Sequence, residues 1–182
     1  MMNSQTKRSL AGAAMVAIMV LTLTACGDDF QNLSSLAPAK KKFVAALVGA
    51  NEVPAVTTTA AGSIELIQED SVNILYTLST SARLDSLTMA HVHAAAAGSN
   101  GPIMTWFFPT EASRAPGPGT GTAAAVTGVI RVGRLTRSGT SFIAPFTWDS
   151  LLVRMNAGSA YVNLHTRKNG GGELRGQITA AP

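Results

Sequence analysis

Cysteine is nearly absent from this sequence: one residue, Cys26, in 182. No intrachain disulfide can form, so whatever folds here is held by its core. Charge is also scarce. Charged residues make up 13% of the chain and the net charge is +4, with no basic cluster beyond Lys40-Lys41-Lys42. That is too little for a nucleic-acid surface, and we expect no nucleic-acid partner. Signatures of common catalysis are missing too: no Gly-x-Ser-x-Gly elbow, no phosphate-binding Gly-x-x-x-x-Gly-Lys loop, no His-Glu-x-x-His. No catalytic residue is assigned, and an enzyme is the less favoured class.

What is present begins with a leader. Lys7 and Arg8 precede an uncharged run from Leu10 to Leu23. That run has the length of a signal h-region and falls short of the roughly 20 residues a spanning helix needs. Leu23-Thr24-Ala25-Cys26 follows and resembles the lipobox of bacterial lipoproteins. The resemblance implies a signal peptide over residues 1–25 and a lipid-modified Cys26 as the new N-terminus. The expected location is the cell envelope, anchored to a bacterial membrane and facing periplasm or exterior. Two or three acyl chains make a stable anchor where one is marginal. Residues 26–41 are polar and small, with no period, and read as a flexible tether. Without Lys7 and Arg8 the chain carries 12 basic and 10 acidic residues, a net +2.

Residues 42–182 read as one domain of about 140 residues, long enough to bury a core. Short apolar runs recur between Gly, Pro, Asn and Ser. They are 43–48, 62–68, 72–78, 87–93, 103–108, 127–136, a weaker 142–146, 160–166 and 173–179. Val72, Ile74, Tyr76 and Leu78 alternate, as a half-buried strand requires. The class is all-β: a Greek-key-like antiparallel β-sandwich of about eight or nine strands. One short helix interrupts it. Trp148, Leu151, Leu152 and Met155 fall at helical spacing, with Thr147 able to cap the start and Gly158 to take the turn after the end. Asn169-Gly170-Gly171-Gly172 predicts a hairpin turn between the last two strands. Residues 115–128, rich in Pro, Gly, Thr and Ala, predict a mobile loop.

The chain has three histidines. His91 and His93, two apart on a strand, project from one face. His165 shares a face with Tyr161 and Asn163 on another strand, opposite Val162 and Leu164. If the two strands lie side by side, three neutral imidazoles converge, a set suited to Zn or Cu(II) with a fourth position open. The same histidines could instead bond loop backbones and fasten the 93–102 loop against the last hairpin. Glu173, Arg175 and Gln177 lie on one face of the last strand, where a surface charge ladder is expected, worth about 0–1 kcal/mol. Glu52 reads as a turn carboxylate capping nearby amides. A hydrolase built on Glu52 or Asp149 ranks last, because Asp149 falls in the helix's first turn, where it meets the dipole favourably without catalysis. Of Trp106, Phe107 and Phe108, one face packs in the core.

Four segments together resemble the CHRD domain. They are FVAALVGANEVPAV (43–56), TMAHVH followed by GSNGP (88–93 and 98–102), GSAYVNLHT (158–166) and ELRGQI (173–178). They occur in the family's order and span the whole mature domain. Ala55 stands where a second proline is expected, and Ala94–Ala97 where glycine is expected. The resemblance implies a β-sandwich-like domain and brings no catalytic activity general to the family. The expectation is therefore a membrane-anchored envelope lipoprotein with a non-enzymatic binding or structural module, its envelope partner or ligand unnamed. The alternative is a Cu or Zn site on His91, His93 and His165, with or without redox chemistry. Glu52, Asn163 and Arg175 are further polar candidates.

Overall fold

The computed structural model describes residues 40–108, 125–140 and 142–182. The expected signal peptide, Cys26 and nearly all of the expected tether lie outside the described residues, as does most of the loop expected at 115–128. No helix among the described residues is long and apolar enough to cross a membrane.

Among the described residues the domain has nine antiparallel strands and one α-helix. They are β1 (Lys41–Val48), β2 (Ala61–Gln68), β3 (Asn73–Leu84), β4 (Leu87–Ala94), β5 (Ile103–Phe108), β6 (Val126–Thr136), α1 (Trp148–Asn156), β7 (Ala160–Thr166), β8 (Leu174–Gln177) and β9 (Thr179–Ala180). The all-β class with a single short helix is as expected. The strands form one continuous sheet in the order β5-β4-β7-β8-β1-β2-β3-β6, with β9 also paired to β1. The sheet doubles over on itself, because the rings of Tyr76 on β3 and Phe107 on β5 meet at 4.6 Å although their strands lie far apart in that order. One half is β5-β4-β7-β8, the other β1-β2-β3-β6. The last strand region joins them: β8 pairs with β7 over Tyr161–Leu164, then touches β1 at Val48, and β9 continues along β1.

Alternation places the core between the halves. Phe43 and Leu47 on β1, Ile64 and Leu66 on β2, Ile74 and Leu78 on β3, Val92 on β4 and Val162 and Leu164 on β7 are all fully or almost fully buried. Each such side chain contributes about 1.5–3 kcal/mol relative to exposure. Only Asp85 and Ser86 separate β3 from β4, yet these strands are not neighbours in the sheet. The chain therefore turns a corner there from one half to the other, with Ser86 in the left-handed region at φ 56°.

The helix follows its sequence closely. Thr147 accepts from the Ser150 amide and Ser150 accepts from the Thr147 amide, a reciprocal cap. Trp148, Leu151 and Met155 are buried, and Trp148 Nε1 donates to Ser71 O at 3.0 Å. Gly158 takes φ +63° beyond the end, as a left-handed stop requires. The candidate strand at 142–146 is corrected to a loop. Phe146 N donates to Ile143 O at 2.9 Å to close a turn, and Pro145 has no amide hydrogen to offer a ladder.

Candidate functional site

The β4–β7 register sets Met89 beside His165, His91 beside Asn163 and His93 beside Tyr161. The β7–β8 register adds Arg175 beside Asn163 and Gln177 beside Tyr161. Because side chains alternate, this row lies on the face opposite Val92, Val162 and Leu164, outside the apolar core. It is nevertheless shielded from water. His91, Tyr161, Asn163 and Arg175 are each 3% exposed or less. Three segments roof it: the chain around Glu52, the 95–102 loop and the Asn169–Gly172 turn.

The three histidines do converge. His91 Nδ1 lies 2.8 Å from His93 Nε2, and one ring nitrogen from each residue lies within 4.8 Å of the others. Ring centroids of His91 and His165 are 4.5 Å apart. The outer nitrogens are held by loop carbonyls. His93 Nδ1 donates to Gly101 O at 2.7 Å and His165 Nδ1 to Gly170 O at 2.9 Å. A carbonyl only accepts, so both rings carry their proton on Nδ1 and present Nε2 as a lone pair. His91 Nδ1 then donates to His93 Nε2, which leaves His91 Nε2 bare. Nε2 of His91 and Nε2 of His165 are both buried without a hydrogen-bond partner.

Electrostatics keep the rings neutral. Burial pushes His93 down to about 4; the Gly101 bond opposes that shift, and repulsion from His165 and Arg175 adds to it. Burial, with repulsion from His165 and His93, holds His91 well below its ordinary value. His165 is lowered by burial, against the Gly170 bond. Neutral imidazole is the form that ligates metal. Around them, Trp106 stands edge-on to His91 at 4.6 Å, and Tyr161 stacks on His93 at 4.7 Å with planes 6° apart. Phe107 fills the core as expected.

The row continues into charge. Asn163 Nδ2 donates to Glu52 Oε1 at 2.6 Å, while Asn163 Oδ1 is buried without a partner. Burial raises Glu52 to about 7, against the lowering pull of Arg175 and Asn163. The expectation that the Glu52 side chain caps a turn is corrected. The Glu52 backbone amide and the Val56 amide close that turn on Gly49 O, and the carboxylate reaches into the sheet instead.

The surface charge ladder is corrected as well. Arg175 is 2% exposed. It donates to Asn100 Oδ1 at 3.0 Å and Ser99 O at 2.5 Å, and its guanidinium lies 3.5 Å over the Tyr161 ring. Glu173 is buried and accepts from Thr166 Oγ1 at 2.5 Å and Thr58 Oγ1 at 2.8 Å. Burial works to raise its carboxyl, yet those hydroxyl bonds hold it below the ordinary value. Gln177 Nε2 donates to Ala95 O and Gly158 O. The physical reason is the roof: loops distant in sequence cover a face that strand periodicity alone presents to water. Asp149 pairs with Arg137 at 2.7 Å on the exposed start of α1.

Of the predicted residues, the structure brings together His91, His93, His165, Asn163, Glu52 and Arg175. It leaves Asp149 apart on the helix. The bonds of His93 to Gly101 O and of His165 to Gly170 O are the loop-backbone contacts expected of these histidines, one in the 93–102 loop and one in the last hairpin turn. Sequence reasoning missed Asn100 and the stacking of Tyr161 on His93.

Comparison with curated proteins and with solved structures finds no match for the chain. The sequence model of the CHRD domain matches residues 43–178, from the third residue of β1 through β8, and takes in every residue of the polar row. The chain belongs to the CHRD domain family.

Proposed function

We propose that this chain is a bacterial envelope lipoprotein, tethered through Cys26, whose CHRD domain binds a transition metal, Cu or Zn, with His91, His93 and His165. It acts as a binding or structural module and not as an enzyme. Membership of the CHRD family supports such a module. One observation carries the metal: two buried imidazole nitrogens, Nε2 of His91 and Nε2 of His165, have no hydrogen-bond partner beside a third neutral ring. A buried acceptor left unpaired costs about 1–3 kcal/mol, and an ion removes that cost at Nε2 of His91 and of His165. Its bond to His93 Nε2 displaces the hydrogen bond from His91 Nδ1–H, which the metal bonds must outweigh. The Gly101 and Gly170 carbonyls orient the ligands from outside and raise their basicity, the usual outer-shell arrangement of a metal-bound histidine.

Elemental analysis of the soluble domain from Lys40 to Pro182, without a histidine tag, tests this. Stoichiometric copper or zinc is expected, lost in a His91→Ala/His93→Ala variant. A second reading is favoured by the bonds to Gly101 O and Gly170 O: the histidines fasten two roof loops and bind no ion. No metal after loading and washing, with a variant that is merely less stable, would establish it. The anchor is tested separately, by fatty-acid labelling of the full chain. Label is expected on the wild type and none on Cys26→Ser.

A further inference from the structure

We infer that Asn163 Oδ1 is the fourth donor of the site, which is therefore closed and holds a divalent ion structurally, with no position left for a substrate. The inference rests on the metal reading above. Three observations carry it. Asn163 Oδ1 is buried and has no partner, the same state as Nε2 of His91 and His165. Its place in the sheet is right: Asn163 is the cross-strand partner of His91 and lies two residues from His165, on the same face. Its orientation is also fixed. Nδ2 is committed to Glu52 Oε1 at 2.6 Å, so the amide oxygen points away from the carboxylate.

Gly172 leaves the room that amide occupies. It has no side chain, and a Cβ there would lie 2.6 Å from Glu52 Oε1 and closer still to Asn163 Nδ2. The turn that seats Asn163 is also the turn whose Gly170 carbonyl holds His165. One hairpin thus positions two of the four donors. Three imidazoles and one amide oxygen form a neutral set of borderline and hard donors, which favours Zn(II) or Cu(II) over Cu(I). Four protein donors are the mark of structural sites, whereas catalytic sites keep one position for water or substrate.

Azide binding to the Co(II)-loaded domain, cobalt standing in for tetrahedral zinc, reads the open position through the visible ligand-field bands. The wild type is expected to hold one Co(II) whose bands azide leaves unchanged. Asn163→Ala is expected to admit azide and shift them. That variant should also lose at least roughly tenfold in zinc affinity, the smallest loss usual even for an outer-shell contact. Asn163→Asp combined with Glu52→Gln, which keeps an oxygen donor and lets the Gln amide donate where Asn163 Nδ2 does now, is expected to exclude azide as the wild type does. It also serves if the alanine variant fails to fold. Azide shifting the bands of the cobalt-loaded wild type as readily as those of Asn163→Ala, or an unchanged zinc affinity in Asn163→Ala, overturns this inference alone. A wild type that holds no copper and no zinc overturns it together with the metal reading.

Discussion

Strands β2 and β7 read alike and live differently. In β2, Ile64 and Leu66 face the core while Ser63 and Glu65 turn outward to solvent or partly so. In β7, Val162 and Leu164 face the core while Tyr161, Asn163 and His165 turn outward and are buried all the same, every residue of the strand being shielded. Strand alternation decides which face a side chain takes. It does not decide whether that face is wet. On the β1-β2-β3 side the polar outward residues are Lys42, Ser63, Glu65, Thr77 and Ser79, which water can satisfy. On the β4-β7-β8 side the polar ones are His, Tyr, Asn, Arg and Gln, flat groups whose fixed donors and acceptors must find protein partners once the roof is on. The second half forgoes cheap hydration, and its unsatisfied atoms are where chemistry has a place to act.

The difference between the halves can be broken from either side. The largest loss is expected from Arg175→Met, which removes a buried cation and strips Asn100 and Ser99 of their donor. Denaturant unfolding should show a loss of about 3 kcal/mol, the upper range for hydrogen bonds to a charged group. Next comes metal. Zinc at about one hundred times its dissociation constant should stabilise the domain by about 2.7 kcal/mol in a thermal-shift assay, and the His91→Ala/His93→Ala variant should show no gain.

The pH profile sharpens the contrast further. His93, lowered to about 4 in the fold from 6.5, makes stability rise with pH between those values, because the unfolded chain binds the extra proton. Glu52, raised from 4.5 to about 7, does the opposite: its contribution is full below 4.5 and is lost as pH rises towards 7. Melting temperatures of Glu52→Gln should therefore climb more steeply with pH between 4.5 and 6.5 than those of the wild type. Equal slopes would remove Glu52 from the titrating set. Least is expected from the wet half. Lys42 and Glu65 form an ion pair at 2.5 Å with both side chains near half exposed. Glu65→Ala should change stability by less than about 1 kcal/mol, and salt should erase the effect.

What the sequence could disclose follows the same division. The helix was legible to the residue, because a cap, a 3.6-residue period and a stop glycine are all local. So were most strands, and so was the shared face of His91 and His93. The convergence of His165 needed only that β4 and β7 be neighbours. The burial of Arg175 and Glu173 was not legible, nor was the turn of Glu52 into the sheet, since both depend on loops that arrive from elsewhere in the chain. At 142–146, apolar residues at a strand-like spacing hid a turn that Pro145 imposes.

Glu52 meets Asn163 across 111 residues, Thr58 meets Glu173 across 115, and Asn51 meets the Arg175 carbonyl across 124. Loop-closure entropy opposes such pairings until the strands between them are in register. On that argument the roof is expected to close late, after β4 and β7 have brought the histidines together on the sheet. An ion that reaches the chain early meets rings still hydrated, with pKa values near the ordinary one. At neutral pH those rings are already largely unprotonated; what the finished fold adds is convergence and a neutrality that persists in acid, so protons compete poorly for the site until pH falls towards 4.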